Sequence, residues 1–346
     1  MILVLSAWEG KVTREESPEE LLVRKTGDFL LQYCIYAVAK LGLADLLGDG
    51  AKGYEELARR VEADPRGVLR LLQRLSMEGI FAEVKAGCFG LTPSASLLRS
   101  GAWRERVIVW FEEWLPVEQQ LLYTVKTGMP AFEYVHGTGF YEYAAKHPEF
   151  DADYEARMSE LTRKVSTALL ESYDFSGSNL VVDIGGGQGV LISSVLKTNP
   201  HLHGILFDRP SAIGGAKDFL EAEGVAGRCK TVGGDFFKVV PEGGDLYVLK
   251  WVLDDWVDNE ACQILKNIRR SMNQQGRILI IEQLMPMDNQ PSPAKSLDLL
   301  MMVQGRTRVR TEAEIREILE RAAFETKRVI ATQSTFSIIE AVPFSP

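Results

Sequence analysis

The chain of 346 residues is 46% hydrophobic and 25% charged and carries a net charge of −9. That length buries one large core and a smaller one, while an acidic balance without an evident basic patch argues against a nucleic-acid partner and points to small-molecule substrates. No stretch of 18 apolar residues suggests a membrane span, and Cys34, Cys88, Cys229 and Cys262 show no Cys-x-x-Cys spacing, as expected of reduced thiols in a cytoplasmic protein.

Met1 to Trp8 is apolar but short, lacks a basic flank and runs into Glu9, Lys11 and Arg14, so it does not read as a signal peptide. Leu30 to Leu47 repeats apolar residues at helical spacing. Tyr54 to Val61 is a second, amphipathic helix, and a third runs from Pro65 to Leu75. Gly79 to Val84 and Cys88 to Leu91 then read as a small hairpin, which completes a winged-helix-like unit. Arg66, Arg70 and Arg74 offer a DNA-facing stripe on the third helix, but in an acidic chain a solvated face is the better reading. Residues 26–44 are apolar on more than one face, which implies burial against a second subunit. His136, His147, His201 and His203 are few for a metal enzyme, and no metal is expected.

The chain then changes character. Val181-Val182-Asp183-Ile184 is an apolar run followed by glycine at 185, 187 and 189, a strand entering a turn that lets a ligand approach the backbone closely. A dinucleotide fingerprint needs glycine at position 190, where Val190 stands. A phosphate-binding P-loop needs a Gly-Lys-Ser/Thr ending, where the chain reads Gly189-Val190-Leu191. The remaining form, Asp-x-Gly-x-Gly-x-Gly, resembles the S-adenosylmethionine loop of doubly wound methyltransferases. Gly204 to Asp208, Cys229 to Val232, Asp245 to Lys250 and Arg277 to Glu282 are further apolar runs, the last preceded by a helical stretch at about 258–273. They predict a parallel sheet covered on both faces, with ligands at the carboxyl ends of its strands. Asp208, about 20 to 25 positions past the loop, is the candidate acceptor for ribose hydroxyls. Asp235, in Gly233-Gly234-Asp235-Phe236-Phe237, is the candidate for an adenine amino group, beside an aromatic that packs on the ring.

With these motifs in order, the chain resembles the S-adenosylmethionine-dependent small-molecule O-methyltransferases, which include plant caffeate-type and bacterial hydroxyneurosporene, phenazine and anthracycline enzymes. The similarity runs from about residue 25 to 342 and includes Leu41-Gly42-Leu43-Ala44-Asp45-Leu46-Leu47, Tyr173-Asp174-Phe175-Ser176 and Arg310-Thr311-Glu312-Ala313-Glu314. The resemblance implies an α/β fold, with a doubly wound Rossmann-like class I methyltransferase domain (171–346), a helical linker or lid (106–170) and an N-terminal winged-helix-like dimerisation domain (1–105). It also implies a homodimer acting on a small aromatic acceptor. The cofactor would be held by Asp183, Gly185, Gly187, Asp208, Arg209, Gly234, Asp235, Phe236 and Lys250, and leave as S-adenosyl-L-homocysteine. Trp114, Met158, Trp251, Asp255, Asp298, Met301 and Met302 would face the acceptor. Trp110, Phe111, Phe132 and Phe140 are further large apolar residues in regions that line the family's cavity, with core packing the alternative for each.

The departures from the family are as informative. Many members carry a general-base histidine in Leu-His-Asp-Trp; this chain reads Leu253-Asp254-Asp255-Trp256. Glu282 matches one of the two glutamates that orient the base, but Val309 stands in place of the other. The catalytic residues implied are therefore Asp254 and Glu282. Methyl transfer tolerates the loss, because alignment alone contributes about 7 to 11 kcal/mol. An ordinary aspartate, with a pKa near ~4 against roughly 10 for a phenol, is a poor base unless burial raises it. Asp254 is expected to act as a weak base or polar anchor, and Asp255 either lines the site or caps the helix that begins near Val257. Three alternatives stay open: a C-methyltransferase in which Asp254, Asp255 and Asp298 hold a hard cation, a non-methylating relative that retains the cofactor, and a winged-helix regulator, disfavoured by the charge.

Overall fold

The computed structural model describes residues 17–27 and 29–344. The apolar start at Met1 to Trp8 lies outside the described residues. The chain divides into two compact units, Met1–Pro116 and Val117–Pro346. The stretch 106–170, expected to be a separate lid, is shared between them.

The first unit contains α1 (Pro18–Gly27), α2 (Phe29–Leu41), α3 (Leu43–Leu46), β1 (Lys52–Gly53), α4 (Tyr54–Arg60), α5 (Pro65–Met77), β2 (Phe81–Lys85), β3 (Cys88–Leu91), α6 (Pro93–Ser96) and α7 (Ala102–Val109), which runs into a π-helical turn at Trp110–Trp114. The continuous helix expected over 30–47 is broken at Gly42, whose φ of +68° no helix interior adopts. α5 starts where its sequence says it should: Pro65 occupies the first turn and the Gly67 amide donates to Asp64 Oδ2 at 2.6 Å. Its apolar side buries Val68, Leu72 and Leu75 against Leu43, Leu57, Phe81 and Phe89. The strands pair antiparallel in the order β1-β3-β2, giving three-helix-and-wing packing.

The second unit is the larger. After α8 (Leu115–Glu118), which spans the boundary in sequence, come α9 (Leu121–Thr127), α10 (Ala131–His136), α11 (Phe140–Lys146) and the 25-residue α12 (Pro148–Ser172). Next are β4 (Leu180–Ile184), α13 (Val190–Thr198), β5 (His203–Asp208), α14 (Ala216–Ala222), β6 (Cys229–Gly233), β7 (Leu246–Lys250), α15 (Asp258–Ser271), β8 (Arg277–Glu282), α16 (Pro293–Gln304), α17 (Glu312–Arg321), β9 (Phe324–Ala331) and β10 (Ser337–Pro343). The sheet order is β6-β5-β4-β7-β8-β10-β9. The first five strands are parallel, as their apolar runs predict, and β10 and β9 add an antiparallel edge. Alternate residues of one strand serve opposite faces: Val182, Ile184, Tyr247 and Ile280 pack with α15 and α17, whereas Val181, Val248 and Ile281 pack with α13 and the end of α12.

Candidate active site

The strand order reverses at β4, so the crevice beyond the carboxyl ends of β4, β5 and β7 is where a ligand enters. β4 delivers Asp183 and then turns at Gly185, with φ +70°; a Cβ there would stand 2.7 Å from Val252 Cγ2. Asp183 is buried, its Oδ2 has no hydrogen-bond partner, and burial pushes its carboxyl up to about 7 against the pull of Lys250. The Gly187 amide donates to Asp208 Oδ2 at 2.8 Å and the Arg209 amide to Oδ1 at 2.6 Å, so the carboxylate that ends β5 is bonded to the glycine loop. Gly234 follows β6, and its amide donates to the Asp208 carbonyl at 3.0 Å. Asp235 accepts from the Phe237 amide and lies 3.2 Å from Lys238. Phe236 and Phe237 both meet Trp256 edge to face, at 5.6 and 4.7 Å between centroids.

β7 delivers the reacting segment. Lys250 is half-buried with its ammonium 4.6 Å from the Trp251 ring centroid; desolvation lowers it to about 8, opposed by Asp183, Asp254 and Asp255. Trp251 has φ +54°, a strained region for a bulky side chain. Its ring lies on Phe336 at 4.8 Å, and its Nε1 has no partner. The strain sharply redirects the chain into the 3₁₀ turn Leu253–Asp255. Two buried groups fix that turn. Glu282 Oε1 accepts from the Leu253 amide at 2.8 Å and the Asp254 amide at 3.2 Å. Arg310, 1% exposed, donates to the Leu253 and Trp256 carbonyls at 2.5 Å each and to Asp258 Oδ1 at 3.0 and 2.9 Å. Asp254 is buried between them with Oδ1 unpartnered, and burial raises its carboxyl above the ordinary range despite Lys250 and Arg310.

The helices before β4 close this side of the crevice. The Tyr141 hydroxyl donates to Asp255 Oδ2, and the ring stacks on Trp256 at 5.7 Å. Burial and the neighbouring Asp254 raise the Asp255 carboxyl, and burial raises the Tyr141 and Tyr154 hydroxyls well above their usual value. Arg209 lies 5.0 Å from the Tyr141 ring centroid and within 3.5 Å of Glu155 and 3.7 Å of Asp151 on α12.

Two sequence expectations are corrected, the helix cap at Asp255 and the cation site of three aspartates. Asp255 does not cap α15: the N-cap is Val257, whose amide donates to Glu260, and Asp255 is the acceptor of Tyr141. Asp298 accepts from the Val309 amide at 2.9 Å. No three acidic, histidine or cysteine side chains among the described residues group closely enough to hold a metal ion, so the Asp254, Asp255 and Asp298 arrangement is not formed. Met301 is buried in a small cluster with Ala294 and Val309, with Met302 half-buried beside it and Met158 half-buried on α12. Phe132 and Phe140 pack among Tyr143 and Phe150, which is core packing. Phe111 stacks on Tyr36 at 4.8 Å in the first unit, where Trp114 is also buried at the end of the π-helical turn. Arg310, Tyr141, Tyr154 and Glu155 were not singled out as site residues by sequence. Their only local signal is the Thr311–Glu314 capping box that follows Arg310.

Known proteins match this arrangement along nearly the whole chain. The family profile described as an O-methyltransferase dimerisation domain matches residues 24–101, and that described as an O-methyltransferase domain matches residues 119–325. A phenazine O-methyltransferase of Lysobacter antibioticus is 41% identical over 93% of this chain and 95% of its own. An 8-amino-8-demethylriboflavin N,N-dimethyltransferase of Streptomyces davaonensis is 33% identical over 94% and 96%. The solved structure of an O-methyltransferase from neocarzinostatin biosynthesis, in complex with S-adenosylmethionine and 2-hydroxy-5-methyl naphthoic acid, superimposes with a TM-score of 0.79 at 28% identity, covering 93% of this chain and 98% of that one. The chain therefore belongs to the S-adenosylmethionine-dependent small-molecule O-methyltransferase family and is a methyltransferase with a family dimerisation domain.

Proposed function

We propose that the enzyme methylates a hydroxyl on a flat aromatic secondary metabolite, working as a homodimer, with Asp254 receiving the proton. Asp183, Gly185, Gly187, Asp208, Arg209, Gly234, Asp235, Phe236 and Lys250 would hold the cofactor. The buried, unpartnered Asp183 Oδ2 and a loop turn with no room for a Cβ fit a cationic adenosyl ligand. When bound, S-adenosylmethionine supplies a methyl group activated on a sulfonium. Met158, Trp251, Asp255, Asp298, Met301 and Met302 are the acceptor-facing candidates of the second unit. The fused-ring relatives, phenazine and riboflavin by name, support a flat acceptor.

The observation that carries the oxygen assignment is the buried Asp254 with its free Oδ1 on a turn clamped by Glu282 and Arg310. A hydroxyl must lose a proton on methylation, and this carboxylate is a rigidly held acceptor for it. Alignment still supplies the larger share: about 7 to 11 kcal/mol, against roughly 10²- to 10⁴-fold in rate from a positioned base. The test is single-turnover methyl transfer with hydroxyphenazines and matched aminophenazines. An O-methyl product, with Asp254→Asn slowing turnover by about 10²-fold, is expected. Methylation of nitrogen alone, or an Asp254→Asn rate within about tenfold of the parent, overturns the assignment.

A further inference from the structure

In the sheet order β5-β4-β7, the loops that follow β5 and β7 stand on either side of the glycine loop that follows β4. Two strand spacings separate them, about 10 Å. One side chain bridges that gap. The Tyr141 ring, on α11, lies 5.0 Å from the Arg209 guanidinium just after β5 and 5.7 Å from the Trp256 ring beyond β7, nearly parallel to it, while its hydroxyl donates to Asp255 Oδ2. Arg209 is also held by α12, with Asp151 at 3.7 Å and Glu155 at 3.5 Å, and Glu155 Oε2 stands 3.0 Å from where a Cβ on Gly187 would be. α11 and α12 are thus fastened to both sides of the crevice, across the mouth of the glycine loop.

The fastening is of a kind that opens. The ion pairs of Arg209 with α12 are longer than the 2.7 to 2.9 Å of a charge-assisted hydrogen bond. Tyr141, Arg209, Asp255 and Trp256 are all half-buried, so water replaces what each loses. Opening therefore costs far less than unfolding the α/β unit. From this geometry we propose that Tyr141 clasps a strap over the cofactor crevice, and that its release from Asp255 and Arg209 sets the rate at which cofactor enters and S-adenosylhomocysteine leaves. This rests on the cofactor assignment made above for Asp208 and the glycine loop, and it needs no acceptor. Product release limits turnover in many enzymes, which makes Tyr141 a residue of the reaction cycle without a contact to the reacting atoms.

A clasp made equally over an empty and a filled crevice changes rates without changing affinity, because its energy cancels between the two states. A side chain that touches the cofactor changes affinity instead, chiefly through koff. The two roles separate in the full-length enzyme with S-adenosylhomocysteine as the probe. Association is followed by stopped-flow tryptophan fluorescence, dissociation by chasing bound radiolabelled probe with unlabelled, and Kd by calorimetry. Tyr141→Phe keeps the ring and loses the bond to Asp255; it should raise kon and koff together by about three- to tenfold, the range for one lost hydrogen bond, with Kd within about twofold of the parent. Tyr141→Ala should raise both further. Asp255→Ala should reproduce Tyr141→Phe and add nothing to it in the double variant, whereas Asp255→Asn keeps an acceptor oxygen and should stay near the parent. Unmoved rates in both Tyr141 variants overturn the strap, as does a rise in koff matched by an equal weakening of Kd, which would make Tyr141 a cofactor contact. Asp208→Ala supplies the contrast, a weaker Kd carried by koff. Unchanged affinity in Asp208→Ala overturns the crevice assignment itself, whereas a normal dependence on Asp208 with unmoved Tyr141 variants overturns the strap alone.

Discussion

Glu155 shows how a single residue in this crevice makes stability depend on pH. It sits on α12 with Oε2 3.0 Å from where a Cβ on Gly187 would be, and 3.5 Å from Arg209. Burial, with Asp208 and Asp151 adding to it and Arg209 opposing, pushes its carboxyl up to about 8. The unfolded chain has the ordinary value near ~4.3. Between the two, the folded state binds a proton that the unfolded state has lost, so the unfolding free energy falls as pH rises. The contribution is fully present below about pH 4 and gone above about pH 8. Glutamine at 155 has no proton to lose. Denaturant unfolding of the cofactor-free protein should therefore show Glu155→Gln gaining on the parent by about 1 kcal/mol or more between pH 5 and pH 8, since each pKa unit is worth about 1.4 kcal/mol. An unchanged difference across that range means that Arg209 keeps Glu155 ionised throughout.

At the scale of elements, the site depends on two turns that touch, the glycine loop after β4 and the strained bend after β7. Gly185→Ala places a methyl 2.7 Å from Val252 Cγ2 at a φ of +70°. Cofactor affinity measured by calorimetry should fall at least tenfold with the fold intact. Adding Val252→Ala removes the collision but not the left-handed backbone cost of about 1 to 2 kcal/mol, so the double variant should recover part of the loss and not all of it. Additive losses in the two variants would show that the turns are independent. The same two turns show what a sequence discloses. Asp208 and Glu282 are legible because each ends a continuous apolar run, and buried parallel strands read that way. β9 is not legible, because at the sheet edge it exposes Glu325, Lys327 and Arg328 and loses any apolar run. β10 hides a buried Glu340 that is satisfied by Tyr173, Arg277 and Arg328. Arg310 and Tyr141 escape for another reason: their partners Leu253 and Asp255 are 57 and 114 positions away, and no local pattern announces which charged or phenolic side chain turns inward.

At the scale of the whole molecule, the change from helical spacing to apolar strands near residue 180 carries the α/β assignment, whereas the two compact units divide at Pro116 and Val117, inside a run of helices that no change in spacing marks. The first unit leaves several large apolar side chains exposed among the described residues, and they are the expected homodimer contact. Leu22, Phe29 and Leu30 on α1 and α2 are 64%, 62% and 54% exposed, with Tyr33 beside them at 42%. Single exposed apolar residues are ordinary, but Phe29, Leu30 and Tyr33 fall close together on α2 within the residues matched as a dimerisation domain, with Leu22 on α1 just before them, and together they are the patch expected to pair. Covering each of these side chains contributes on the order of 1.5 to 3 kcal/mol, and association itself costs an estimated 4 to 15 kcal/mol. The patch alone is marginal, and a tight dimer needs most of it. The protein should sediment at micromolar concentration with about twice its chain mass of 38.6 kDa. Leu22→Glu combined with Phe29→Glu buries two unpaired charges in that contact and should shift the sedimenting species to the single chain, with α/β-unit unfolding unchanged. A parent protein that sediments as one chain at tens of micromolar, or a double variant that remains paired, would place the dimer contact elsewhere on the first unit.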